Sequence, residues 1–281
     1  MKPVEALPLR GWQASLDLDF EWRGGRSVLA RRAGFGPLAI QKALYPEGEQ
    51  VCHAILLHPP AGIAGGDELS IGVSVGAGAH ALLTTPGAAK WYRSAGAQAV
   101  QQVRLTVARD AVCEWLPQEN IFFAAAQARN ELIVALEAGA AFCGWDLMCL
   151  GRTAGGEKFS SGRVIQRLRV TCDGHPLLEE AGHIEGGGRL LDSPVGLAGF
   201  PVCATFVAGG FDGRGQALDA LRNVTSPDAG RWGITAFPDC IVGRFLGESA
   251  EVARAYCVRL WQAARPFYAK REACVPRIWS T

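Results

Sequence analysis

What most constrains this chain is a rhythm of short apolar, aromatic or β-branched runs, cut repeatedly by glycine-rich turn material, with almost no helical periodicity between them. The runs 27–32, 52–57, 69–75, 79–84, 99–107, 112–116, 121–125, 130–136, 144–150, 161–171, 177–181, 203–207, 233–236 and 240–245 read as strands. Gly-Ala-Gly, Ala-Arg-Asp, Glu-Ala-Gly-Ala and Cys-Asp-Gly separate several of them, all tight-turn sequences. Val103 and Leu105 alternate with Arg104 and Thr106, the period of a half-buried strand. Many strands at short spacing predict a mostly β fold: an antiparallel, layered or coiled architecture in one domain spanning 1–281. No fixed-period repeat supports a propeller. Two segments break the pattern. Residues 215–222 place Ala217, Leu218 and Leu221 on one helical face. Residues 248–267 open on Glu248, Ser249 and Glu251, carry apolar residues at spacings of three and four, and reach Pro266, which predicts the main helix near the C-terminus and its end.

Charge narrows the function. Twenty-eight Lys and Arg face 27 Asp and Glu, so the chain has no long-range field for nucleic acid or an anionic membrane surface. Its nine cysteines are irregularly spaced and form no C-x-x-C pair, the usage of reduced, mostly buried thiols. The N-terminal stretch has no apolar run of signal-peptide length, and the apolar stretch 135–150 is interrupted by Glu137 and Asp146. These features predict a soluble cytoplasmic protein.

The familiar catalytic motifs (H-E-x-x-H, G-x-S-x-G, the phosphate-binding loop) are absent, and His53, His58, His80, His175 and His183 are scattered singly. Three segments carry what chemistry there is. In HPPAGIAGGD the loop leads into a strand and ends on Asp67. That suits a turn whose Asp caps its own backbone, or a carboxylate offered to a cation, better than a phosphate cradle. In TTPGAAKWYR, Lys90, Trp91, Tyr92 and Arg93 combine cation and aromatic surface, the composition of a partner interface. In EWLPQENIFF and GWDLMCLGR, Glu114 and Asp146 interrupt apolar strand patterns. Such acids need ion-pair partners, for which Arg93, Arg129, Arg152 and Arg163 are candidates, or a hydrated interior passage. Carboxylates, carbonyls and water hold a first-row divalent cation loosely, whereas a His/Cys cage traps it, so carboxylates without clustered His and Cys are compatible with passage.

Taken in order, GWQASLDL, LYPEG, LLHPPAGIAGGDEL, LLTTPGAAKWYRS, EWLPQENIFF, WDLMCLGR, GEKFSSG and PRIWST resemble the urease accessory protein D family, the D-type or H-type urease chaperones. The resemblance spans nearly the whole chain, with two departures: the family usually has Gly where Ala61 stands, and Thr or Ser at Ala89. It implies a non-catalytic, β-helix-like protein that forms a complex with the F-type accessory protein, the G-type GTPase and the urease apoprotein. It also implies an internal tunnel through which nickel passes in transit, with no tightly bound cofactor. Carried onto this sequence, Asp67, Asp146 and Glu180 are the expected tunnel acids and transient nickel ligands, followed by Glu119 and Glu157. The competing expectations are a scaffold that opens urease without conducting metal, and an unrelated β-fold hydrolase.

Overall fold

Four strands share one inward-facing apolar alternation: Glu68–Val75, Ala99–Val107, Gln127–Leu136 and Arg163–Cys172. In the computed structural model, which describes residues 11–211, 213–225 and 230–280, they stack side by side in parallel. Ile71, Val103, Leu132 and Leu168 form one rung row, and Val73, Leu105, Val134 and Val170 the next. Between one of these strands and the next the chain turns a corner into a second sheet, as at His80–Thr84, Val112–Leu116 and Ala141–Leu150, which also pair in parallel. It then crosses a short third face, where Ile63, Trp91, Phe122 and Leu150 are successive buried rungs. The fold is a mostly β, solenoid-like stack.

The predicted turns are present, but most of them join different faces rather than the two strands of a hairpin. That is why the central ladders are parallel where an antiparallel arrangement was one expectation. Gly78, Asp110 and Gly139 take positive φ at such corners. Asp173 and Gly174, both at positive φ, instead close a true hairpin between Arg163–Cys172 and His175–Glu185. The ends of the stack are antiparallel. Gln13–Arg23, a strand the sequence reading did not assign, joins Glu68–Val75 in parallel and Arg26–Phe35 in antiparallel. Its Asp17 and Asp19, poor strand formers, lie on the face opposite buried Leu16, Leu18 and Phe20, and Asp19 pairs with Arg31.

The second sheet continues from Ala141–Leu150 through Val202–Gly209 and Cys240–Gly247 to Arg231–Ala236. One core lies inside the stack and another lies between this sheet and the C-terminal helix Ala250–Ala269. Ser249 caps that helix by accepting from the Val252 N–H. The helix does not stop at Pro266. Arg265 and Tyr268, on either side of it, both donate to Glu114 of the sheet, and these bonds carry the helix past the missing N–H. The short helix predicted at 215–222 is present as Arg214–Arg222. All nine cysteines are free thiols, six of them buried. Residues 1–10, part of the stretch read as lacking a leader, and Thr281 of PRIWST lie outside the described residues.

Candidate functional site

Leu69, Gln101, Asn130 and Gln166 occupy one inward row of the first sheet, a row that is apolar at its first rung and amide at the next three. Each amide sits between apolar neighbours two residues away (Ala99 and Val103, Ala128 and Leu132, Val164 and Leu168), so the alternation fixes its direction into the stack. From the facing sheet, Asp146 points at this row. Its Oδ2 accepts from Gln166 Nε2 at 3.1 Å, and its Oδ1 from Asn120 Nδ2 at 3.3 Å and Asn130 Nδ2 at 3.5 Å. Gln101 donates to Asn130, and Trp91 Nε1 to Asn120. The buried carboxylate is therefore held by neutral amides, not by any of the four arginines considered from sequence. Burial pushes its pKa up, the bonds from Gln166 and Asn120 pull it back in part, and the charge of nearby Glu180 raises it further.

Asp146 borders two spaces. One is an open cleft of about 630 Å³ that Glu180, Gln166, Gly182, Thr205 and Arg244 also line. The other is an inner cavity of about 60 Å³ walled by Thr85, Ala89, Gln101, Gln118, Asn120 and Asn130 among others, roomy enough for about two waters. Ala89, where the resembled family carries a hydroxyl, lies in this inner wall, paired in register with Asn120. Cys203 lines the open cleft, but burial, with the charges of Asp146 and Cys149, pushes its thiol up to about 12, so it stays protonated and is a poor metal ligand.

The predicted acids divide into groups. Asp146 and Glu180 share the open cleft. Glu119 lines neither space: its neighbour Gln118, in the wall of the inner cavity, accepts from Arg254 of the C-terminal helix. Glu119 itself stands 3.7 Å from that arginine, with a buried Oε2 that has no hydrogen-bond partner. Asp67 borders neither space. Its two oxygens accept from the Trp12 and Ala64 N–H groups, each at 2.7 Å, which caps the loop and pins the first strand. Glu157 is likewise engaged by the Ala124 N–H at 2.8 Å.

Of the basic-aromatic quartet, Trp91 is core rather than interface: it is buried and stacks on Phe122 at 5.3 Å between ring centroids. Lys90, Tyr92 and Arg93 are exposed. The Tyr92 ring covers the HPPAGIAGGD loop so closely that a Cβ on Gly62 would fall 2.1 Å from it. Two of the longest motifs thus pack on each other.

Glu114 lies away from this interior, in the row Leu82, Glu114 and Cys143 that faces the C-terminal helix. It accepts from Trp261 Nε1, Tyr268 Oη, Arg265 and His80 at 2.6–3.0 Å. Its partners are thus Arg265 and His80, which are far from it in sequence. Among the described residues, no three His, Cys, Asp or Glu side chains gather as a metal site.

The fold and site define a class: a β-solenoid module with an amide-lined interior around the buried carboxylate of Asp146. The family model described as UreD urease accessory protein matches residues 13–280, and the chain belongs to that family. Curated relatives named urease accessory protein UreD are 50% identical over 271 residues in Azoarcus sp. (96% of this chain, 95% of the relative). One in Dechloromonas aromatica is 48% identical over 273 residues (96% and 95%), and one in Janthinobacterium sp. is 48% identical over 274 residues (97% and 93%). Membership implies a role in urease maturation in association with urease and other accessory proteins. Among the described residues, no helix is long and apolar enough to cross a membrane.

Proposed function

We propose that this chain is a non-catalytic cytoplasmic component of the urease maturation complex, docking on the urease apoprotein with the F-type protein and the G-type GTPase. Nickel crosses it by way of the Asp146 interior. The observation that carries this reading is Asp146 itself: a buried carboxylate, held by amides alone, on the wall common to an open cleft and an inner cavity. A structural acid in such a place would be expected to have an ion-pair partner. A carboxylate among amides and water offers a divalent cation oxygen ligands that exchange readily and do not trap it. Glu180 is the outer ligand of the cleft. Direction comes from tighter capture at the urease active site.

The test is urease activity and nickel per active site in cells carrying the urease genes with this gene intact, deleted or altered. Deletion should leave apo-urease. Asp146→Asn should lower activation about tenfold or more while the complex still assembles, the scale on which metal-site supports act. Normal nickel loading by an assembled Asp146→Asn complex would refute the route.

A further inference from the structure

We propose that Arg244 is a displaceable latch over the cleft, a positioning residue that keeps cations out until Glu180 is taken from it. The inference rests on the conduit reading and adds a control to it.

Asp146, Thr205 and Arg244 stand at facing positions on three neighbouring antiparallel strands, so one row of the second sheet runs from the buried acid to the arginine. Arg244 donates to Thr205 Oγ1 at 3.3 Å. The same guanidinium forks onto the Glu180 carboxylate of the opposite sheet, with its Nη1 3.1 Å from Oε2. One side chain thereby ties the two sheets together across the cleft and occupies two of its outer oxygen ligands. Beneath it, Asp146 has only amide donors, so Arg244 is the cation that meets the route at its outer side.

The latch is built to open. The Arg244 side chain is 54% exposed and that of Glu180 20%, and a solvated pair of this kind is worth little, so holding it closed costs and returns little free energy. The latch opens when a divalent cation outcompetes it for Glu180. While closed, it opposes cation entry both by its charge and by occupying the ligand. Gly182, beside Gln166 on the Glu180 strand, leaves the space under the fork free of side chain.

The experiment measures Ni²⁺ binding to the purified full-length chain by equilibrium dialysis against nickel chloride. Arg244→Gln should bind about tenfold more tightly, the scale of removing one nearby like charge at a half-exposed site. Arg244→Lys should behave as the parent, and the gain should vanish in the Arg244→Gln, Glu180→Gln double variant. Unchanged binding in Arg244→Gln, or a gain that survives loss of Glu180, would overturn the latch. Failure of the conduit reading shows elsewhere, as normal urease activation by Asp146→Asn, and leaves the dialysis comparison intact.

Discussion

At the scale of single residues, Asp146 is a site where stability and function oppose each other. Its folded pKa lies above the unfolded value of 3.8, so the neutral acid is the form the fold prefers. The stability this gives is fully present below pH 3.8 and is lost as pH rises through the folded pKa, leaving the charged form a net cost at neutral pH. We expect Asp146→Asn to raise stability at pH 7 by about 1 kcal/mol, since Gln166 can turn its amide to suit the new donor. Melting curves against pH check this: the advantage should fade toward pH 3.8. Ala61 is a second such residue. It sits at φ +59°, where an L side chain is strained by about 1–2 kcal/mol, partly offset by its stiffer unfolded chain. Ala61→Gly should therefore stabilise by about 0.5–1 kcal/mol in denaturant titrations. Asp146 was legible in sequence as a charge inside an apolar strand, whereas Glu180 came only from the family resemblance. The amides were equally visible, each filling an inward slot of an alternating strand, but a single amide in a strand carries no alarm until register shows three of them in one row.

At the scale of elements, the C-terminal helix is held by a buried charge cluster. Arg265, fully buried, bridges Glu114 and Glu47, and Glu47 also binds His53. Burial alone would raise the Glu47 carboxyl, but hydrogen bonds from His53 and Arg265 outweigh it and hold the group down at about 2. Its contribution is present above the unfolded value of 4.5 and is lost as pH falls toward 2. Removing one partner leaves a buried charge unmatched, so Arg265→Ala should cost about 3–5 kcal/mol. Acid unfolding followed by near-ultraviolet circular dichroism should also begin at higher pH in that variant. The helix was legible from its spacing, and its anchor was not. Arg265 and Glu114 are 151 residues apart, so nothing local could pair them or show that Pro266 would be bridged by bonds on both sides.

At the scale of the whole molecule, strand content and turn positions were readable, but the way the turns join strands was not. A glycine turn between two short strands serves a hairpin or a solenoid corner equally well, and only stacking decides. Here stacking makes the central ladders parallel and encloses the amide row, while the antiparallel strands beyond it leave the cleft open at Glu180. That geometry separates a conduit from a scaffold. A Cβ at Gly182 would rest 3.6 Å from Gln166, an ordinary contact, so a larger side chain can enter without breaking the sheet and must then fill the cleft. We expect Gly182→Phe to assemble with its partners and melt within about 1 kcal/mol of the parent, while urease activation falls about tenfold or more. His183→Phe, on the exposed neighbouring position, should leave activation unchanged. Activity and nickel content of the purified urease decide it. A scaffold that merely holds urease open tolerates a filled cleft, whereas a route through Asp146 does not.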